Sequence, residues 1–373
     1  MIPREVFTET LLGFLDPVRR FLDDPSVSEI MINGPDQVYI ERKGRLELTH
    51  ARFKSKESIL CALRNAAQFV GKTLDDRHPL LEARLPDGSR LQAAIAPVAS
   101  DGPCVSIRRF LKHALDFEGL IACGSLTPLA AATLDVLVRA RLNLLIAGGT
   151  GSGKTSLLNV LAGLVPDGER TLVLEDSKEV VVKSPHVVYL EACPADADGH
   201  GAVSIRDLFR ASLRMRPDRI MIGEIRGAEA LDIIQAMVSG HGGCMGTLHA
   251  TYPRDTLTRL ETMALMSDVE LPLSALRLQI ASGVNVIVQV AREGDGSRKI
   301  SHITEVVELS PTGRYELQDL FAREYRGIDA HGSVLSELVP TGHLPTFLPA
   351  LKSRGLDLPS AVYDAAQSKA RPT

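Results

Sequence analysis

Gly148-Gly149-Thr150-Gly151-Ser152-Gly153-Lys154-Thr155 fits Gly-x-x-x-x-Gly-Lys-[Ser/Thr], the pattern of a phosphate-binding loop. Before it, Leu142-Asn143-Leu144-Leu145-Ile146-Ala147 is a short apolar run that reads as a buried strand. After it, Ser156-Leu157-Leu158-Asn159-Val160-Leu161-Ala162 reads as a helix. Strand, glycine loop and helix are the setting this motif needs. Glycines let backbone N–H groups curl around phosphate oxygens with no Cβ in the way. The start of the helix adds partial positive charge. The nucleotide-contacting candidates are Gly149, Thr150, Gly151, Ser152, Gly153, Lys154, Thr155 and Ser156. Lys154 would reach the β and γ phosphates of ATP, and the Thr155 hydroxyl would ligate Mg²⁺ directly.

Working downstream, further strands alternate with helices. Arg170–Leu174 is a second buried strand, ending in Glu175-Asp176. Ser204-Ile205-Arg206-Asp207 is a capping box that opens a helix to about Met215. Arg219–Gly223 is a third strand ending in Glu224, Gly227–Ser239 is a helix, and Gly243–Leu248 is a fourth strand ending in His249. This alternation predicts a parallel α/β sheet, with ligands past the carboxyl ends of its strands. Two helical stretches follow (Asp255–Leu265, Leu273–Gly283), then a meander-like run (Val286–Arg292, Lys299–Leu309, Arg314–Phe321). A proline-containing tail reads as a short appendage.

Upstream lies a smaller α+β region. Phe7, Leu11, Phe14, Val18 and Phe21 recur as one helix face between Arg4 and Leu22. Three short strands, Glu29–Ile32, Gln37–Arg42 and Arg45–Thr49, are divided by turn signals at Asn33-Gly34-Pro35-Asp36 and Lys43-Gly44. Ser55–Val70 reads as a helix capped by Ser55, with Ser58 lacking the acid of a capping box. A hairpin turns at Asp87-Gly88, and Val105–Phe110 closes the region. His113–Gly124 shows no strong periodicity and reads as a linker, and Thr127-Pro128 starts a helix. The expected division is 1–112, an N-terminal α+β domain; 113–126, a linker; 127–325, an α/β nucleotide-binding domain; and 326–373, the appendage.

Bulk composition narrows the classes. The 373 residues carry a formal net charge of -4 and are 45% hydrophobic and 24% charged. That is ordinary for a globular protein and gives no general case for nucleic acid or an anionic membrane as partner. Five cysteines without a C-x-x-C pair argue against a zinc knuckle or a disulfide framework. The start, Met1-Ile2-Pro3-Arg4-Glu5, is too charged for a signal peptide, and no apolar run is long enough to span a bilayer. The expected location is the cytoplasm.

Three groups at strand ends are candidates for chemistry. Hydrolysis of a nucleoside triphosphate needs a metal across the β/γ oxygens, an oriented water and added positive charge. Glu224 follows an apolar strand, where an acid associated with Mg²⁺ is usually found, but Gly223 holds the place of the usual aspartate. Glu224 is therefore expected to hold Mg²⁺ through water, and Glu175 to position or deprotonate the attacking water. His249, in Gly246-Thr247-Leu248-His249-Ala250, is placed to sense the γ-phosphate, with His241 a second candidate. Either acid alone could be only a solvated strand end, and a lone histidine is as often structural. Arginines are dense at Arg206, Arg210, Arg214 and Arg216, and again at Arg84, Arg90, Arg108 and Arg109. Such runs are usually solvated basic faces; the alternative is that some reach the phosphates as arginine fingers.

With these residues in hand, the chain resembles the secretion-superfamily traffic ATPases of type II and type IV secretion, type IV pili and archaeal flagella. Four motifs carry the likeness: Gly148 to Thr155 (Walker A), Leu174-Glu175-Asp176-Ser177-Lys178-Glu179 (Asp box), Leu213 to Gly227 with its Gly223-Glu224 (atypical Walker B), and Gly246 to Ala250 (His box). Ser28-Glu29-Ile30-Met31-Ile32-Asn33-Gly34 and Leu85-Pro86-Asp87-Gly88-Ser89-Arg90 extend it into the first domain. The tetracysteine zinc element of type II secretion and pilus-extension ATPases is missing. Thr341-Gly342-His343-Leu344-Pro345-Thr346-Phe347 and Gly355-Leu356-Asp357-Leu358-Pro359 resemble the CpaF/TadA-type ATPases of tight-adherence (Flp) pili. Conjugative, TrbB-like type IV secretion ATPases are the alternative.

The resemblance implies an α/β fold, with a RecA-like P-loop ATPase domain, a smaller PAS-like N-terminal α+β domain and a short C-terminal appendage. It implies a homohexameric ring that hydrolyses ATP with Mg²⁺, each nucleotide lying between the two domains. Arg90 and Arg108 would then stand near the phosphates. The expected partner is an inner-membrane platform protein of a pilus or secretion system, which would hold the motor peripherally at that membrane; no nucleic acid is expected. Two readings from other classes compete. A nucleotide-gated scaffold with little turnover is disfavoured by the full set Lys154, Thr155, Glu175 and Glu224. A DNA-translocating ATPase is disfavoured by the near-neutral charge and few aromatics.

Overall fold

The computed structural model describes the backbone of residues 4–42, 44–109, 116–195 and 199–370, and the side chains of 9–42, 44–109, 116–195 and 199–369. Met1 to Pro3, the Phe7 side chain, Lys43 of the second turn, Phe110 of the closing strand, residues 113–115 of the linker and the last three residues lie outside these. The chain divides into two compact units, Met1–His113 and Ala114–Thr373.

In the first unit, α1 (Arg4–Phe14), α2 (Asp16–Asp23) and α3 (Lys56–Phe69) accompany an antiparallel sheet. Its strands are β1 (Val27–Asn33), β2 (Val38–Arg42), β3 (Arg45–Leu48), β4 (Leu80–Arg84), β5 (Arg90–Ala94) and β6 (Cys104–Arg108), ordered β3-β2-β1-β6-β5-β4 among the described residues. The single N-terminal helix face expected from the sequence is broken. Asp16-Pro17 restarts the helix, because proline fits a first turn but cannot continue one. Leu15 is consequently buried and Phe14 is left exposed. The cap at Ser55 also differs from expectation. Ser58 completes the capping box by accepting from Ser55 N at 3.3 Å, so a hydroxyl serves where an acid is usual.

The second unit begins in the stretch read as a linker, where α4 (Phe117–Ala122) forms. Asp116 caps it, accepting from Gly119 N at 2.9 Å, and Leu120 is buried. A six-residue helix is too short to show periodicity in sequence. Thr127 caps α5 (Pro128–Arg139), which leads into β7 (Leu144–Gly148), the phosphate loop and α6 (Lys154–Ala162).

Then come β8 (Thr171–Glu175), β9 (Val187–Glu191), α7 (Ile205–Ser212), β10 (Arg219–Ile222), α8 (Glu229–Val238), β11 (Met245–Leu248), α9 (Pro253–Ala264), α10 (Leu273–Gly283), β12 (Val286–Arg292), β13 (Arg298–Leu309), β14 (Tyr315–Ile328), β15 (Val334–Pro340), α11 (Leu348–Ser353) and α12 (Ser360–Ala370). Among the described residues they build one nine-stranded sheet, ordered β15-β14-β13-β12-β7-β11-β10-β8-β9. Strands β12 to β9 run parallel, while β13 to β15 are antiparallel.

β7 is buried along its whole length because helices cover both faces. Leu144 and Ile146 face a core shared with α5 and α6, whereas Leu145 and Ala147 face one built with α8, α9 and α10. The meander expected after α10 is thus part of the nucleotide-binding sheet. β14 runs through residue 325, and β15 extends the same sheet beyond it, so the tail expected as an appendage begins inside a strand pair. Thr346 donates from N and Oγ1 to buried Glu305 on β13 at 2.9 and 2.5 Å.

Candidate functional site

The loop sits where β7, flanked by β11 and β12, meets α6. Gly148 admits no side chain: a Cβ there would stand 2.5 Å from both Ser152 Oγ and the Val290 carbonyl oxygen. Gly151 and Gly153 take the left-handed conformation, at φ +69° and +97°. Buried Ser152 closes the turn by donating to Gly149 O at 2.8 Å. Lys154 opens α6 and folds back, donating to Gly148 O at 3.1 Å and Gly149 O at 3.0 Å. Thr155 and Ser156 follow it in the first turn, both half-buried. The eight predicted loop residues thus form one concave turn at a helix start, a form suited to phosphate.

Two of the three predicted strand-end groups converge on Lys154. His249, just past β11, lies with Nδ1 3.4 Å from Lys154 Nζ, and its Nε2 is 2.8 Å from Glu224 Oε1. The other Glu224 oxygen accepts from Arg226, which also pairs with Asp176 at 3.0 Å. Burial pushes against the charge of Glu224, but Arg226, His249 and Lys154 more than offset it and hold its carboxyl below the usual range. Burial, then Lys154, pushes the His249 imidazole below its ordinary value, with Glu224 opposing. A neutral ring donating from Nε2 to Glu224 leaves the Nδ1 lone pair towards Lys154, the tautomer these partners assign.

Glu175 is placed differently. It ends β8, is 4% exposed, and accepts from Glu179 N and Val180 N, each at 3.0 Å. Its side chain lies over Gly223: a Cβ on that glycine would meet Glu175 Cγ at 2.8 Å. The residue that departs from the usual aspartate is therefore a glycine because the Glu175 stem fills that space.

The remaining candidates separate. His241 precedes β11, at the opposite end of that strand from His249, and is not part of the site. Arg206 and Arg210 both pair with Asp232 on α8, at 2.7 and 2.9 Å, while Arg214 and Arg216 are exposed. Arg90 and Arg108 belong to the first unit, opposite each other on β5 and β6. Arg109 there braces the β1 entry, reaching Val27 O at 3.4 Å.

Sequence reading passed over two contributors. Buried Gln289 on β12 donates to Ala250 O at 3.0 Å and Thr251 O at 3.1 Å, fixing the chain just after His249. Its signal was a lone amide in an otherwise apolar strand. Thr247, also buried, donates to Gly223 O at 2.6 Å and ties β11 to the strand end that carries Glu224.

A cleft of about 590 Å³ opens beside the loop, between Gly149, Thr150 and His249 on one side and α9 on the other. Thr155, in the first turn of α6, and Glu224, just past the end of β10, carry hard oxygen donors. A hydroxyl, a carboxylate, water and phosphate oxygens form a donor set that fits Mg²⁺, which keeps several waters and takes few protein ligands.

Comparison with known proteins adds the family. The model described as "Type II/IV secretion system protein" matches residues 14–318. A protein of Mycobacterium tuberculosis (strain H37Rv), whose name provisionally assigns it to conjugal transfer, is 34% identical over 333 residues, 88% of this chain and 92% of its own length. The type IV secretion system protein PtlH of Bordetella pertussis is 32% identical over 311 residues, 76% of this chain and 91% of its own. Among solved structures, the ATPase DotB of Yersinia pseudotuberculosis superposes with a TM-score of 0.56 at 19% identity, over 84% of this chain and 81% of that one. That likeness bears on fold alone, an α/β architecture with a RecA-like second unit. The family match runs through both units and takes in every residue of the candidate site, so the chain belongs to the type II/IV secretion system protein family.

Proposed function

We propose that this protein is a motor that hydrolyses ATP to ADP and phosphate at residues 148–155 and works as a ring of identical subunits, six by family analogy. The observation that carries this reading is the convergence of Lys154, His249 and Glu224 at the lip of the phosphate loop. In the loaded site Lys154 exchanges the carbonyls of Gly148 and Gly149 for β and γ phosphate oxygens. The N–H groups of the first α6 turn bind the same phosphates. Mg²⁺, held by Thr155 and through water by Glu224, would neutralise charge on the β/γ oxygens. Glu175 orients the attacking water, and His249 hydrogen-bonds the γ-phosphate. By family analogy alone, Arg90 and Arg108 are assigned the positive charge for the transferred group.

The output of the motor is the assembly or export of protein subunits through an inner-membrane platform, with the ring held at the membrane by that partner. No helix among the described residues is long and apolar enough to cross a membrane. Two forms of this output have comparable support. The motifs at Thr341–Phe347 and Gly355–Pro359 favour a tight-adherence pilus. The family relatives favour a conjugative or other type IV secretion system.

The test is ATPase activity together with solution mass by light scattering, with and without Mg·ATP, for wild type and Glu175→Gln. A ring-sized species is expected, with Mg²⁺-dependent turnover that falls at least about a hundredfold in the variant while ATP binding persists. Near-normal turnover in Glu175→Gln would sink the water-orienting role. A wild-type monomer that binds ATP without turnover, even beside membranes from the source, would sink the motor and favour a nucleotide-gated scaffold.

A further inference from the structure

The cleft beside the loop starts at Gly149 and Thr150 and does not include Lys154 or Thr155. It takes in Gly149, Thr150 and His249 at the lip, where the γ-phosphate would lie, and runs outward from there to α9. Its far wall carries Thr258, Arg259 and Thr262, which fall on one helix face. Its volume of about 590 Å³ has room for a phosphate ion and several waters, each taking about 30 Å³.

One guanidinium in the cleft is open to an anion. Arg226 and Arg259 face it, against the single acid Asp255. Arg226 is already committed to Glu224 and Asp176. Arg259 makes no hydrogen bond or ion pair to any described residue, yet it is near enough to add to burial and Lys154 in lowering the basicity of His249. The hydroxyls of Thr258 and Thr262 rest on carbonyls of their own helix, at 3.4 and 3.0 Å, and can rotate to donate elsewhere. A guanidinium with open donors and two rotatable hydroxyls match the oxygens of phosphate.

We propose that this cleft receives the orthophosphate cleaved from ATP, with Arg259 drawing it off the loop lip while ADP stays seated. The assignment of that phosphate as a product rests on the hydrolysis reading above. The product would then leave along α9, which becomes the element that registers its departure.

The experiment uses the full chain saturated with Mg·ADP. Inorganic phosphate is titrated into wild type, Arg259→Ala and Arg259→Lys, and binding is followed by phosphorus NMR line width and by calorimetry. Wild type is expected to show one saturable site. Arg259→Ala should bind phosphate at least about tenfold more weakly, as the loss of one charge-assisted contact requires. Arg259→Lys should recover most of that loss, because the charge is restored. ADP affinity and melting temperature should stay the same in all three, which a merely structural role for Arg259 would not allow.

Unchanged phosphate affinity in Arg259→Ala, a parallel fall in ADP affinity, or no saturable site in wild type would each overturn the proposal. The two readings fail separately. An Arg259-dependent phosphate site in a protein without turnover would sink hydrolysis and leave the anion site standing. Normal turnover with Arg259-independent phosphate binding would do the reverse.

Discussion

Replacing Gly223 by alanine probes how Glu175 is held. The new Cβ would lie 2.8 Å from Glu175 Cγ and 3.1 Å from its Oε1, well inside the roughly 3.5–4.0 Å at which carbon atoms rest together. Glu175 is 4% exposed and its carboxylate is held by two backbone N–H groups. One response is to push its carboxylate off the Glu179 and Val180 N–H groups, at about 1.5–3 kcal/mol for each bond to a charged group. The other is to spread the overlap through β8 and β10, at about 1–3 kcal/mol for an overpacked methyl. The cheaper response sets the outcome, so a loss near 2 kcal/mol is expected, or a fall of about 4–8 °C in melting temperature for a unit of this size. Turnover should fall further, because a misplacement of about 1 Å at a reacting group costs on the order of a hundredfold. Calorimetry and a coupled ATPase assay read the two effects. Gly168→Ala is the control: its Cβ meets nothing within 4 Å, so neither quantity should move. A Gly223→Ala protein that melts within about 1 °C of wild type and turns over normally would refute the claim that Glu175 fills the usual aspartate's place.

Two other outcomes follow from the same geometry. The folded-state pKa of His249 lies below the ordinary imidazole value of about 6.5, so as pH falls from there the unfolded chain takes up that proton first. Stability is therefore lost on acidification through this window, and His249→Asn should lose less between pH values of about 7.5 and 5.5; parallel melting curves for the two proteins would contradict this. Gln289→Leu leaves the Ala250 and Thr251 carbonyls without their donor. Ala250 is half-buried and Thr251 exposed, so the stability cost should stay near 1 kcal/mol, while turnover drops more than that because the chain after His249 is released; an unchanged turnover number would show that Gln289 only fills space.

Much of this site was legible because it depends on local chemistry. Gly148 to Thr155, Glu175, Glu224 and His249 are each marked by residue type at the end of an apolar run, and a parallel sheet brings such ends to one edge. What the sequence hid depends on contacts between distant segments. Glu175 and Gly223 look independent, and only the pairing of β8 with β10 shows one filling the space of the other. Gln289 is a lone amide in an apolar strand, and only the pairing of β12 with β7 brings it to the chain after His249. β9 is half-exposed along its length and shows no alternation, and α4 is shorter than two helical turns. β15 lies in the stretch that reads as an appendage, and only its pairing with β14 shows it to be part of the sheet. The basic run from Arg206 to Arg216 reads in sequence as a solvated face or a source of arginine fingers, and only the fold shows Asp232, some twenty residues later, holding Arg206 and Arg210.

The β14–β15 pair bears on how this protein can be cut and recombined. Arg323, buried in β14, donates to Ser125 O at 2.6 Å and to Ser336 Oγ at 3.2 Å, so it joins the entry to α5 with the strand that follows. A shortened chain ending near residue 325 would lose Ser336, leave Arg323 partly unsatisfied and strip β14 of its neighbour. Tails exchanged between relatives would therefore have to be joined beyond Pro340, and fusion partners grafted there rather than at the boundary that composition suggests. For protein engineering, the last strand pair is part of the ATP-binding sheet's own modularity and travels with it.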